Sequence, residues 1–217
     1  MPSLLDVQPR ERFSSYSHAA GAVAAVVGAG VLLARAPAVG AWHLVTLVYG
    51  LGTIAMFTAS ALYHAQKRAE NETGLWRRID HSAVFLMIAG TYTPFCFAYL
   101  PPAWFWSIVG VQWGLAVLGI AFKLSALGSR RWLTVSVYLA MGWMAVIPLP
   151  KLVAVMSTSQ IVWMTAGGLT YTLGAFIYAL KRPNPWPDRV GFHGLFHICV
   201  VAAAVMHYVL VYGSVVR

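Results

Sequence analysis

The chain has 217 residues, of which 59% are hydrophobic and 10% charged, and its mean hydropathy is +0.70. A soluble domain carries about 25% charged residues, so this composition excludes a chain that covers its surface with polar groups and makes lipid the solvent. The net charge of +9 would suggest nucleic acid in a soluble protein, but the positions of the charges assign it to membrane lipid, and no nucleic-acid partner is expected.

Residues 1–17 are polar and include Arg10, Glu11 and Arg12. No small-residue cleavage site follows, so a signal peptide is not expected. A spanning helix needs about 20 apolar residues. Seven stretches qualify, at roughly 18–36, 41–65, 79–100, 104–123, 132–150, 160–180 and 192–215. Period-2 alternation, the mark of a membrane barrel, is absent. Backbone groups in lipid must be satisfied internally, which leaves helices. The expectation is an all-α bundle of seven transmembrane helices in one domain, residues 1–217. The connections are short, the longest running from Gln66 to Arg78. Gly110 and Gly114 form a GxxxG, and Gly167, Gly168 and Ala202 to Ala204 add further small positions; these predict close helix packing. Cys96 and Cys199 fall in apolar runs without metal or haem spacing and read as packing residues.

Lysine and arginine set the orientation. With a cytoplasmic N-terminus, twelve of them (Arg10, Arg12, Lys67, Arg68, Arg77, Arg78, Lys123, Arg130, Arg131, Lys181, Arg182 and Arg189) fall on the inner side, and three (Arg35, Lys151 and Arg217) on the outer. The positive-inside rule then puts the N-terminus in the cytoplasm and the C-terminus outside. Basic loops of this kind attract anionic headgroups. The expected location is the inner (plasma) membrane. Oligomeric state is open.

Ionisable groups within spans are costly and are functional candidates. His64 closes the second span, Asp80 opens the third, and His193 and His197 open the seventh, all from the same side. Residues four apart share a helix face. His193 and His197 can therefore present two imidazoles to one ion, and Ser60 faces the same site one turn from His64. Three imidazoles and a water make an open tetrahedral zinc site, and zinc lowers the pKa of such a water towards about 7. Asp80 is the acidic residue placed to take that proton. Blander readings stay open residue by residue: headgroup-facing histidines, an aspartate favoured by the helix dipole and paired with Arg77 or Arg78, a serine bonded to its own helix. His18, His43, His81 and His207 read as packing or interfacial histidines.

The segment from Ser60 to His64, the run DHSAVFLMIAGTYTPF from Asp80, the run HGLFHICVVAAAVMHY from His193 and the N-terminal ERFSSYSHAAG resemble the haemolysin III group. This is the bacterial branch of the progestin and adiponectin receptor family, and the resemblance covers nearly the whole chain. It implies seven helices, a cytoplasmic N-terminus and Zn2+ bound by His64, His193 and His197. It further implies that Asp80 holds the zinc-bound water and that Ser60 belongs to the same site. The superfamily includes alkaline ceramidases, which implies a metal-dependent lipid hydrolase. Many relatives carry Glu or Gln where this chain has Gly194. Three functions follow as expectations. The first is a zinc-dependent hydrolase of an acyl-lipid amide or ester at the inner leaflet, with a role in membrane-lipid homeostasis. The second is a receptor-like sensor with structural zinc. The third, a haemolysin-type pore, ranks lowest, because the outer halves of the helices offer no charged lining.

Overall fold

The structure, a computed structural model, describes residues 9–67, 74–125 and 131–216. Of the cations used to set orientation, Arg68, Arg130 and Arg217 lie outside these residues, as do residues 68–73 of the Gln66–Arg78 connection. The described residues are helical, without strands. In chain order the helices are α1 (Pro9–Arg35), α2 (Trp42–Gln66), α3 (Leu75–Tyr99), α4 (Pro102–Leu124), α5 (Arg131–Gly142), a 3-10 turn (Trp143–Val146), α6 (Leu149–Val155), α7 (Thr158–Leu180) and α8 (Gly191–Val215). Six are long and apolar enough to cross a membrane, and α5 with α6 makes a seventh span if that bent pair is counted as one. Exposed valines, leucines and tryptophans such as Val23, Val26, Leu118 and Trp106 are what a lipid-facing exterior requires.

α2 and α3 form the centre, burying 61% and 67% of their apolar stretches, against 11% for α7. Small residues let them touch. A methyl group at Gly52 would overlap the Leu86 carbonyl, and one at Gly90 would press on the Val48 carbonyl. Gly167 likewise leaves room for the His207 ring. The GxxxG expectation is corrected: among the described residues, none lies within 4 Å of a would-be Cβ at Gly110, Gly114 or Gly168, so these glycines do not mark close helix contacts there.

Two boundaries differ from the sequence reading in ways that shape the site. α1 begins at Pro9, not near residue 18. Proline suits the first helical position, where an N–H would have no partner anyway, and the helix so extended carries the polar N-terminal residues into the bundle. There Glu11, Ser14, Ser15 and His18 are buried. α3 begins at Leu75, so Asp80 lies in its second turn, beyond the first turn where a helix dipole acts strongly.

The expected single helix over 132–150 is broken, with α5 and α6 bent by 51°. Pro148 and Pro150 lack an N–H, and their rings clash with the carbonyls four residues back, which fall in the 3-10 turn. A broken helix in lipid must have its freed backbone groups satisfied by neighbours. Tyr92 Oη donates to the Gly142 carbonyl at 2.6 Å and accepts from the Ala145 N–H at 2.9 Å. Gln112 Nε2 donates to the Met141 carbonyl at 2.8 Å. Tyr92→Phe therefore strands two backbone groups and should cost about 1–3 kcal/mol. Thermal unfolding in detergent checks this, and a midpoint equal to wild type would contradict the role given to Tyr92.

Candidate metal centre

Three histidines meet where α2 and α8 come together. His64 ends α2, and His193 and His197 stand one turn apart at the start of α8. Their ring nitrogens converge: His193 Nε2 lies 3.2 Å from His64 Nε2 and 3.1 Å from His197 Nε2. One nitrogen from each lies within 4.8 Å of the others, a group able to hold a metal ion. His64 and His197 are 1% exposed, so water does not satisfy these rings from outside.

The tautomer of His64 follows from a residue that the sequence reading passed over. Glu11 Oε2 lies 2.6 Å from His64 Nδ1, and Glu11 Oε1 accepts from Lys67 Nζ at 2.7 Å. An ionised carboxylate only accepts, so His64 Nδ1 carries the hydrogen, and in a neutral ring Nε2 then presents its lone pair to the cluster. A carboxylate behind a histidine in this way fixes ring orientation and strengthens the ligand. α1 is held in register for this contact by Ser15 Oγ, which donates to the Ala61 carbonyl on α2 at 3.0 Å. The sequence cues for Glu11 were Pro9 two residues before it and the resemblance of ERFSSYSHAAG to a first-span pattern.

The cluster borders a cavity of about 410 Å3, within the range of ligand sites. Ser60 and Asp80, the two residues expected beside the histidines, both line it. Neither belongs to the convergent nitrogen group. Asp80 Oδ2 lies 3.4 Å from His81 Nδ1, a nitrogen that is also 2.8 Å from the Arg77 carbonyl.

Three histidines read from sequence as packing or interfacial also face this cavity: His18, His81 and His207. His43 is exposed and away from it. His18 is 2% exposed, stacks on His197 with ring centroids 3.8 Å apart, and has no hydrogen-bond partner on either nitrogen among the described residues. The cavity extends around α3 and along α8, so residues about 100° apart on one helix, such as Asp80 and His81, both reach its wall. Gly194 has a local reason: a Cβ there would meet Val190 Cγ1 and, at 3.1 Å, Phe13 Cδ1. Phe13 of α1 occupies the space of a side chain at 194, two residues from Glu11.

Against this geometry stand the comparisons with known proteins. The family model described as Haemolysin-III related matches residues 7–208. The chain belongs to the haemolysin III family. It is 28% identical to Hemolysin-3 of Bacillus cereus over 89% of this chain and 86% of that protein, and 31% identical to a Hemolysin-3 homolog of Bacillus subtilis over 79% of each. It is also 27% identical to the adiponectin receptor protein of Drosophila melanogaster, over 89% of this chain and 48% of that protein. With its apolar helices, membership makes this haemolysin III protein a multi-pass membrane protein.

Glu11→Gln keeps the shape of the side chain and removes its charge. It should weaken metal binding about 10–100-fold while leaving the helical content unchanged. Titration of metal-stripped protein against a competing chelator measures this, and an affinity equal to wild type would show that the carboxylate does not tune the cluster.

Proposed function

We infer that this protein is a zinc-dependent hydrolase of an acyl-lipid amide or ester, working at the cytoplasmic leaflet of the inner membrane. One observation carries the reading: three imidazole nitrogens converge beside an apolar cavity, with a carboxylate and a serine on the same wall. The donor set fits zinc. Nitrogens bound to a tetrahedral zinc ion at about 2.0–2.1 Å stand about 3.3 Å apart; two of the three nitrogen pairs here stand 3.1 and 3.2 Å apart, and all three nitrogens lie within 4.8 Å of one another. With the N–H of His64 directed to Glu11, its Nε2 offers a lone pair; a hydrogen on His193 Nε2 can bridge to it in the metal-free cluster, and a bound cation would replace that hydrogen. His18, the nearest further histidine, is stacked on His197 and is not part of the convergent group. A position that none of the described residues closes favours chemistry over a structural zinc.

When bound, zinc supplies Lewis acidity and a water acidified towards neutral pH. The residues do the rest. His64, His193 and His197 hold the ion, with Glu11 fixing His64. The apolar wall takes the acyl chain and excludes bulk water. Asp80 accepts a proton from water as its oxygen bonds to the carbonyl carbon. The C–N or C–O bond then breaks, and Asp80 returns that proton to the departing nitrogen or oxygen. The products are a fatty acid and an amine or alcohol. Ser60 donates a hydrogen bond towards the carbonyl oxygen, where charge develops.

Asp80→Asn should retain bound zinc and lose about 10²–10⁴ in turnover. Zinc content and release of fatty acid from a panel of lipid amides and esters, measured on the same preparation, give the answer. Full turnover in that variant would remove Asp80 from the mechanism. Steady unitary currents from the pure protein in planar bilayers would instead favour the pore.

A further inference from the structure

The cavity has two chemically different ends. Arg77 and Arg78 of α3, Lys123 of α4 and Arg131 of α5 line one of them, and Asp80 is the single carboxylate on the wall among the described residues. From there the wall turns apolar through Val84, Met87, Ile88 and Leu139 to Tyr92. Arg77 and Tyr92 are separated by about 22 Å along α3, at about 1.5 Å per residue.

The positive-inside rule accounts for cations at this end of the bundle, but it does not turn them inward. A lysine near a helix end normally extends its ammonium to water or headgroups. Lys123 does not: it is 7% exposed, with Nζ on Thr134 Oγ1 of α5. Lys123 and Arg77 line the same cavity. The neighbouring guanidinium groups are held in place. Arg131 lies over the Tyr178 ring at 4.3 Å, and Arg78 donates to the Leu124 carbonyl at 3.0 Å. Lys123 is buried, Arg77 and Arg131 are half-buried and Arg78 is exposed; a buried ammonium sharing a cavity with guanidinium groups is costly unless an anion is shared with it. Fixed ammonium and guanidinium donors match the several oxygens of a phosphate.

We propose that the substrate is an acyl lipid with an anionic phosphate headgroup, seated on Arg77 and Lys123 with its chain running towards Tyr92. This rests on the lipid-hydrolase reading of the same cavity and supplies its substrate class. The histidine cluster borders the cationic end, so the bond to be cut lies near the headgroup.

The test uses full-length protein in nanodiscs of zwitterionic lipid and displacement of a fluorescent acyl lipid. The competitors are oleoyl lysophosphatidate and monooleoylglycerol, alike except for the phosphate, together with inorganic phosphate. The lysophosphatidate should compete at least about tenfold better than the neutral lipid, and inorganic phosphate should not displace at matched concentration. Lys123→Met and Arg77→Gln should each remove most of that preference. The exposed Arg182→Gln and Arg189→Gln should leave it intact. Equal competition by the two lipids, displacement by phosphate alone, or an equal loss in the Arg182 and Arg189 variants would overturn the proposal. His64→Ala separates the two readings, since it should abolish hydrolysis and keep the headgroup preference. A preference in wild type with hydrolysis of neither lipid would leave the headgroup site standing and count against the hydrolase.

Discussion

Three imidazole nitrogens that face one another out of water need a shared partner. Each neutral ring has one N–H and one lone pair, and the contacts of 3.1 and 3.2 Å bring three Nε2 atoms together where one cation could accept a lone pair from each. The Glu11–His64 contact makes this sharper by committing the His64 hydrogen to the opposite side of the ring. The early start of α1 at Pro9 and its register against α2 bring Glu11 to His64. Moving Glu11 away would free His64 to change tautomer, and the cluster would lose its common centre.

The membrane explains why such a cluster needs so much support. Inside a soluble protein, a stray polar group can often borrow a water molecule. Here the bundle must supply each partner itself. Tyr92 and Gln112 do so for the broken backbone after α5, and Glu11 with Lys67 does so for His64. Tyr138, Leu139, Gly142 and Trp143, at and before the break, line the cavity, and Tyr138 also packs on Phe85 of α3 and donates to the His81 carbonyl.

Much of this was legible in the sequence. Apolar lengths gave the spans to within a few residues, except at α1 and α5. The four-residue spacing of His193 and His197, with His64 arriving from the same side, predicted the cluster; Asp80 and Ser60, expected beside it, line the adjoining cavity. Glu11 was missed because hydropathy marks where a helix becomes apolar and not where it begins. α1 starts nine residues earlier than its apolar stretch, and only Pro9 hinted at that. The break after α5 was visible in Pro148 and Pro150, but a window of apolar residues averages across them. His18, His81 and His207, read as packing or interfacial residues, also line the cavity: helix-face arguments assume one buried face, whereas a cavity that wraps around a helix accepts several. Gly110 and Gly114 erred the other way, since small residues permit close packing without requiring it.

The most direct test of the account is X-ray absorption at the zinc edge of the purified wild-type protein. It should give about one zinc per chain, with three imidazole nitrogens and one further light-atom ligand at about 2.0–2.1 Å. Protein that binds no metal, or a zinc shell containing sulfur, would contradict it.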